Sequence, residues 1–178
     1  AIHLTRPSIK IPDRVLLGMD SHLGAAKGAY IIKDYESNKT KDGVVIIRGT
    51  SSTNSLVEIL PQLKLEGPNV KVIAAISWEL FRRQSSEYRR SIIMDHEWDD
   101  CMIITNGAKR SMQKWIANRV VESYSLSPDF DNRWRTGGSL DQIIRESQLD
   151  PDSIMNGIRR FVEDKRKRVR LLKNERIL

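Results

Sequence analysis

The sequence has little of three features that would each assign the protein to a particular class. Cys101 is the only cysteine, so a disulfide framework is excluded and a reducing compartment, by default the cytosol, is expected. No apolar run approaches the ~20 residues that span a bilayer, so no membrane segment is predicted. The first residues also lack the basic-then-apolar order of a signal peptide. We therefore expect a soluble, cytoplasmic protein.

Aromatic residues are also scarce, at 6% of the chain, yet three of them lie close together. Trp78, Phe81 and Tyr88 follow the apolar run Val70–Ile76, whose length and β-branched content predict a buried strand. We expect Leu80 and Phe81 to turn inward while the charged residues beside them stay in solvent. This stretch is therefore predicted to form a packed corner after a strand.

The positive charge is concentrated at one end of the chain. The net charge is +7, and residues 159–176 contain nine basic and three acidic residues, which leaves the rest nearly neutral. A basic helix of this kind is more typical of a solvated face, or of a surface that meets an acidic partner, than of a nucleic-acid reader. Nucleic acid is therefore not expected as a partner.

Residues 43–76 predict a compact β-α-β unit. Gly43–Arg48 and Val70–Ile76 have strand composition, and apolar residues recur at helical spacing between them until Gly67-Pro68. A strand, a crossover helix and a second strand are typical of parallel pairing. The chain is nearly neutral outside residues 159–176, and 39% of its residues are hydrophobic. The β-α-β unit can therefore be the centre of a substantial core.

Other strand patterns extend this unit into a larger sheet. Ala29–Tyr35 is expected to be an antiparallel neighbour of Gly43–Arg48, because the polar segment between them is too short for a crossover helix. Cys101–Thr105 predicts another buried strand. We expect a three-layer α/β/α fold around a mixed five-stranded sheet, mostly parallel with one antiparallel edge strand. Four residues are predicted to share one helix face after that strand: Met112, Trp115, Ile116 and Val120.

The C-terminal part is predicted to be a loop followed by helices. Residues 123–138 are polar and contain Trp134, and residues 139–148 have a helical pattern. Asp150-Pro151 begins the last helix with a capping residue and a proline. Lys165 interrupts its apolar stripe, so the distal end is expected to lie on another chain or in solvent.

We accordingly divide the chain into three segments. Residues 1–26 are an N-terminal segment, residues 27–122 form the α/β core, and residues 123–178 form a C-terminal extension.

The loop after the second strand is the strongest candidate for anion binding. Backbone N–H groups and hydroxyls there could hold a phosphate or carboxylate, since ligands bind at the carboxyl ends of strands in open α/β sheets. The candidate residues are Gly49, Thr50, Ser51 and Ser52. The loop lacks the spacing of glycine-rich phosphate motifs, so a plain helix cap is the favoured interpretation. Ser55 and Glu58 have capping-box spacing, with Ser52 or Thr53 as alternative caps.

No other group of residues predicts chemistry. His96 lies in the acidic stretch 95–100, but it lacks the spacing of zinc ligands, so an acidic surface turn is favoured and no metal site is predicted. Cys101 stands in an apolar run and is expected to be inert. The charged loop 129–135 offers no acid/base pair. We assign no catalytic residue and no cofactor-binding residue.

The stretch Trp78-Glu79-Leu80-Phe81-x-x-Gln84, followed by Glu87-Tyr88-Arg89, resembles the signature of transketolase C-terminal domains. Lys27-Gly28-Ala29-Tyr30 is similar to the opening of that domain's first strand, and the resemblance covers about residues 27–90. Leu4-Thr5-Arg6 also resembles the last strand of the preceding, pyrimidine-binding domain. Seven residues form the family signature, with a structural role expected for each: Trp78, Glu79, Leu80, Phe81, Gln84, Tyr88 and Arg89.

The resemblance implies a larger enzyme. Transketolases transfer a two-carbon ketol unit between sugar phosphates, using thiamine diphosphate and Mg²⁺. In that family a Gly-Asp-Gly motif of the N-terminal domain and a glutamate of the middle domain hold and activate the cofactor. No Gly-Asp-Gly occurs in this sequence. The resemblance therefore implies a structural domain, inactive alone, whose partners are the N-terminal and middle domains of the same enzyme and a second copy in a homodimer.

The sequence departs from the family after the strand Cys101–Thr105. Typical members continue with Phe-Gly-x-Ser, whereas Asn106-Gly107-Ala108-Lys109-Arg110 leads here into a longer tail. Two alternatives therefore remain open. One is the C-terminal part of an α-ketoacid dehydrogenase E1-type enzyme, and the other is a free-standing interaction module with a basic helix.

Overall fold

The computed structural model describes residues 8–135 and 137–175, and Leu4-Thr5-Arg6 lies outside them. The strands are β1 (Ala29–Lys33), β2 (Gly43–Arg48), β3 (Val70–Ala75) and β4 (Cys101–Thr105). The α-helices are α1 (Thr50–Leu65), α2 (Trp78–Arg82), α3 (Ser86–Ile92), α4 (Asp95–Asp99), α5 (Arg119–Ser123), α6 (Leu140–Glu146), α7 (Pro151–Glu163) and α8 (Lys165–Glu175). Two 3-10 helices cover His22–Lys27 and Lys109–Trp115.

The β-α-β unit is confirmed. β2 and β3 pair in parallel with Val45 opposite Val72, and β4 joins the other edge of β2, also in parallel. The residues of these strands are almost all buried, which explains their continuous apolar composition. The strand order is β1-β3-β2-β4, with β2 and β3 in the middle.

The predicted neighbour of β1 is wrong. β1 is antiparallel, as expected, but it pairs with β3 and not with β2. Both edges of β2 already carry parallel partners, so the free edge nearest to β1 belongs to β3. Neighbouring strands are about 4.8 Å apart, so residues 34–42 are long enough to pass the end of one intervening strand.

The prediction of five strands is wrong for the described residues, where the sheet is extended beyond β4 only by a single bridge at Leu126. Leu126 donates its N–H to the carbonyl oxygen of Ile103 (2.8 Å) and accepts from the N–H of Thr105 (3.0 Å), so it lies beside β4. Pro128 follows two residues later and has no N–H for a ladder, which ends the pairing. The sheet of the described residues therefore has four strands and not five.

Helices cover both faces of the sheet and give the predicted three layers. On one face α1 and α7 pack their apolar stripes against the strands, with Leu56, Leu60 and Ile158 fully buried. On the other face the buried residues Phe81 and Trp115 belong to a second apolar cluster. The fold class is thus confirmed as a mixed α/β sheet between helices. No described helix is long and apolar enough to cross a bilayer.

Helix α1 begins earlier than predicted. Gly49 is its N-cap residue, with φ of +102° and no side-chain cap, so neither Ser52, Thr53 nor Ser55 caps it. A glycine is required there because a Cβ would lie 1.7 Å from Oδ1 of Asn106. The side chain of Glu58 instead accepts a hydrogen bond from Asn54.

The continuous helix predicted across residues 112–120 is two elements. The 3-10 helix ends at Trp115, and α5 begins after Asn118, whose side chain accepts from the N–H of Val121 (2.9 Å). This local cap competes with helix continuation.

The last helix is also divided, which corrects the prediction for its distal end. Asp150 caps α7 with Pro151 in its first turn, as predicted, but α7 ends at Glu163 and α8 begins at Lys165. α8 returns to the domain, where Arg168 is buried and Leu172 packs against the core. The described part of α8 therefore contacts the chain's own domain through Arg168 and Leu172.

Candidate functional site

The signature residues begin directly after β3 and form an aromatic cluster with two later elements. Ser77 caps α2 by accepting a hydrogen bond from the N–H of Leu80. The ring centroid of Trp78 lies 5.1 Å from that of Trp115 and 6.0 Å from that of Trp98, both in edge-on geometry. Three of the chain's four tryptophans thus stabilise one corner of the fold.

Within α2, only one of the two residues predicted to turn inward does so. Phe81 is buried and stacks on Trp115 at 5.4 Å, whereas Leu80 is 41% exposed. Successive residues of a helix differ by about 100° in direction, so a five-residue helix on a flat surface can bury only one of them deeply. The expectation that Leu80 is inward is therefore wrong.

Glu79 and Lys114 connect α2 to the 3-10 helix at the surface. The carboxylate of Glu79 accepts from Lys114 and from Arg82, and these hydrogen bonds lower the pKa of Glu79 to about 2. Both partners are largely exposed, so the contact orients the two elements more than it stabilises them.

Two further signature side chains tie α2 and α3 to the rest of the fold. The hydroxyl of Tyr88 donates to the carbonyl oxygen of Ala29 (2.8 Å), and the ammonium of Lys27 lies 4.5 Å from the Tyr88 ring centroid. The side-chain amide of Gln84 donates to the carbonyl oxygen of Leu80 (2.9 Å) and so satisfies the end of α2. These contacts explain why signature residues such as Tyr88 and Gln84 have a structural role.

The outer side of the cluster is the wall of a small cavity of about 190 Å³. Trp78 and Trp98 form its apolar part, and Arg82, Arg89 and Arg90 surround it. Arg82 pairs with Glu79, and the remaining arginines are exposed on α3. The signature residue Arg89 thus lies at the surface of the same corner.

The four anion-binding candidates lie together, but their polar groups are already engaged in part. The hydroxyl of Ser52 donates to the carbonyl oxygens of Arg48 (2.8 Å) and Gly49 (3.1 Å) inside the helix. Ser51 accepts from the side-chain amide of Asn106 (3.0 Å), which lies between the carboxyl ends of β2 and β4. Asn106 therefore occupies the β4 side of this carboxyl edge, while a cavity of about 480 Å³ at the ends of β2 and β3 is lined by Gly49 and Thr50. Anion binding by Gly49, Thr50, Ser51 and Ser52 stays a prediction.

The acidic stretch 95–100 is only partly a surface turn. It forms α4, and Glu97 is buried with its carboxylate 2.9 Å from the ammonium of Lys71. Burial raises the pKa of Glu97, but hydrogen bonds from the N–H of Met94 and from Lys71 outweigh it, so the pKa is lowered overall. Sequence reasoning missed this pair, because Lys71 stands in an apolar strand whose neighbours give no sign of a partner.

The chemistry of the remaining candidates is limited. Burial raises the pKa of the Cys101 thiol, whose sulfur lies 3.4 Å from the carbonyl oxygen of Trp98, so the thiolate is disfavoured. In loop 129–135, Arg135 binds both Asp131 and the carbonyl oxygen of Pro128, which makes the loop an internally bonded turn. No group of three or more potential metal ligands occurs among residues 8–135 and 137–175.

These features define an open, mostly parallel α/β domain that is organised around an aromatic corner. The chain belongs to the transketolase-like TK C-terminal domain family, whose sequence model matches residues 28–126, more than half of the chain. The match includes all seven signature residues and all four strands.

Relatives that are named transketolases support this family assignment. The chain is 42% identical over 71 residues to the chloroplastic transketolase of Solanum tuberosum, which covers 39% of this chain and 9% of that protein. It is 37% identical over 95 residues to a chloroplastic transketolase of Craterostigma plantagineum, covering 51% of this chain and 18% of the relative. The chain thus spans less than a fifth of the length of these relatives.

Solved structures show the same fold. The transketolase of Leishmania mexicana superposes with a TM-score of 0.61 at 14% identity, over 81% of this chain and 19% of that chain. A transketolase variant of Pichia stipitis gives a TM-score of 0.61 at 18% identity, over 83% of this chain and 20% of that chain. At these identities the likeness concerns the fold alone.

Proposed function

We propose that this chain is the C-terminal domain of a transketolase-like enzyme that transfers a two-carbon ketol unit from a ketose phosphate to an aldose phosphate. The observation that carries the proposal is the family match over residues 28–126. Relatives of up to 42% identity that are named transketolases support it. The domain's own role is structural: it completes the subunit, and the chemistry takes place elsewhere.

Thiamine diphosphate and Mg²⁺ belong, in this proposal, to the other domains of the parent enzyme. The residues of this chain do not fit the cofactor, because no Gly-Asp-Gly is present and no group of three or more potential metal ligands occurs in the part of the chain that the structure describes. The signature side chains bind each other or the backbone, as Glu79 and Tyr88 do. We propose no catalytic step on this chain, and we propose that it is inactive alone.

The surface offers apolar contacts for the proposed neighbours. Ile11, Val15 and Leu16 project largely exposed from the N-terminal segment, which suits contact with the preceding domain.

Trp134 is 98% exposed on the internally bonded loop, beside the partly exposed Phe130. Exposed aromatic side chains are enriched at interface hot spots, so we assign this loop to the proposed homodimer contact.

The cytosol remains the proposed compartment, on the basis of the single buried Cys101. Several plant relatives are named chloroplastic, and that location is a property of those proteins.

A chimera tests the proposed role. Residues 28–126 would replace the matching segment of the Solanum tuberosum transketolase, and ketol transfer and molecular mass would be measured. We expect a dimer that retains ketol transfer, whereas the same enzyme without the segment should lose activity. A chimera that unfolds cooperatively but is inactive would contradict the proposal.

Calorimetry tests the second part of the proposal. The 178-residue chain would be titrated with thiamine diphosphate in the presence of Mg²⁺, and we expect no binding heat. Micromolar binding would show that the chain holds the cofactor itself.

A further inference from the structure

The cavity at the carboxyl ends of β2 and β3 has no part in the proposed function, and no signature residue lines it. Its volume of about 480 Å³ lies within the range of small-molecule sites. The strand ends around Ile47 and Ala75, the first turns of α1 and residues 9–12 of the N-terminal segment all line it. Because β1 is antiparallel to β3, its first residues reach the same edge, and Tyr30 adds a further part of the wall.

The wall of the cavity is mostly apolar. Apolar side chains come from every element around it: Ile9, Ile11, Met19, Ile47, Val57 and Ile76. A cavity of about 150 Å³ can hold one benzene ring, so this one has room for a body of two fused rings. A ligand with an apolar body would gain affinity here because that body leaves water.

The charged residues that line the cavity are all basic. Lys10, Arg14 and Arg48 line it, whereas no aspartate or glutamate of the described chain does. Arg48 is exposed and donates to the carbonyl oxygen of Ser111 (3.2 Å), which is not a lining residue. Lys10 is also exposed, so Arg14 is the half-buried cation among the three. The charge of the wall therefore favours an anion.

Two hydrogen bonds fix the position of the Arg14 guanidinium. Nη2 of Arg14 donates to the hydroxyl oxygen of Tyr30 (3.0 Å), and Nη1 donates to the carbonyl oxygen of Asp20 (2.9 Å). Both Arg14 and Tyr30 line the cavity, so the first of these bonds holds the guanidinium at its wall. A guanidinium has five N–H groups, and three of those of Arg14 have no partner among the described residues. The hydroxyl of Tyr30 accepts from Arg14 and keeps its own O–H to donate.

We propose that this cavity binds a monocarboxylate with an apolar body of one or two rings, whose carboxylate pairs with Arg14 and accepts a hydrogen bond from the Tyr30 hydroxyl. One half-buried guanidinium balances one negative charge, and its planar fork matches the two oxygens of a carboxylate. Gly49 and Thr50 at the start of α1 line the same cavity, and the positive end of a 16-residue helix also favours an anion there. The inference goes beyond the proposed function, because it requires neither the other domains nor their cofactor.

Titration calorimetry on the complete 178-residue chain tests the proposal with two probes of the same shape. 2-Naphthoate carries a carboxylate, and 2-naphthamide replaces it with a neutral amide. We expect 2-naphthoate to bind with a Kd below about 1 mM. The amide should bind at least about tenfold more weakly, because it loses hydrogen bonds between two charged groups. Acetate lacks the apolar body and should give no binding heat at the same concentrations.

The native chain alone decides this first comparison. Equal affinity for 2-naphthoate and 2-naphthamide, or a Kd for 2-naphthoate above about 1 mM, would overturn the proposal.

Four variants locate the bound carboxylate. Arg14→Met should weaken 2-naphthoate binding at least about tenfold and change 2-naphthamide binding less than about twofold, because only the carboxylate loses its partner. Tyr30→Phe should act in the same direction with a smaller effect. Thr53→Phe, on the α1 wall, should weaken both probes because the larger side chain occupies part of the cavity. The control Arg83→Gln removes an exposed arginine that does not line the cavity and should change neither affinity.

Two results with these variants would contradict the assigned site. If Arg14→Met keeps the full preference for 2-naphthoate over 2-naphthamide, the carboxylate does not pair with Arg14. If Thr53→Phe binds both probes as tightly as the native chain, the probes bind outside this cavity.

Discussion

Replacing Lys71 with methionine is expected to destabilise the domain by about 3–5 kcal/mol at pH 7, because it leaves a buried carboxylate without its counter-ion. Lys71 and Glu97 have side chains only 6% and 5% exposed, and their charged atoms are 2.9 Å apart. Glu97 would keep the hydrogen bond from the N–H of Met94, which does not neutralise its charge. For a domain of this size the loss corresponds to a decrease in Tm of about 6–20 °C.

The loss of stability in Lys71→Met is also expected to depend on pH, in a direction set by the pKa of Glu97. In the native chain the pKa of Glu97 is lowered, so its contribution is present above the unfolded-state pKa and is lost as pH falls. Without Lys71, burial dominates and raises the pKa of Glu97, so protonation then favours the folded state. The stability difference between the native chain and Lys71→Met should therefore shrink between pH 7 and pH 5.

Urea unfolding, followed by circular dichroism and tryptophan fluorescence, measures both quantities. The matched control is the double variant Lys71→Met with Glu97→Gln, which removes the unpaired charge and keeps an acceptor for Met94. It should recover more than half of the lost free energy of unfolding. A single-variant loss below about 1 kcal/mol, or a pH-independent loss, would refute the assignment of a buried charge pair.

Two further changes test contacts that hold the fold together. Arg168, only 1% exposed, pairs with Asp100 at 2.8 Å and stacks 3.6 Å from an aromatic ring centroid, so Arg168→Ala should cost about 2–4 kcal/mol in urea unfolding. Arg168→Lys should recover little, because an ammonium cannot stack as a planar guanidinium does; complete rescue would contradict this. Gly28→Ala should cost more than about 3 kcal/mol by thermal unfolding, since φ is +90° and a Cβ would lie 2.3 Å from the N atom of Phe81. Gly137→Ala meets nothing within 4 Å in the described structure and should stay within about 0.5 kcal/mol; equal losses at both glycines would be inconsistent with this argument.

Much of the candidate site could be predicted because its residues are local in sequence. The aromatic signature follows β3 directly, and its structural role agrees with the contacts of Phe81 and Tyr88. The hydrogen bond between Asn106 and Ser51 could not be predicted, because it depends on how β4 is placed beside β2. The burial of Lys33 was missed for a similar reason, because a lysine in a strand gives no sign of whether its side chain is in water or in the protein.

The amino-acid sequence by itself determined the β-α-β unit, the start of α7 and the family, because each depends on residues that are near one another along the chain. Periodic burial and a proline after a capping aspartate are local signals. Only the tertiary structure decided that β1 pairs with β3, that α8 returns to the domain through Arg168, and that Lys33 and Glu97 are buried. These features depend on which surfaces compete for the same free edge or the same apolar face, and that competition is settled only when distant segments meet.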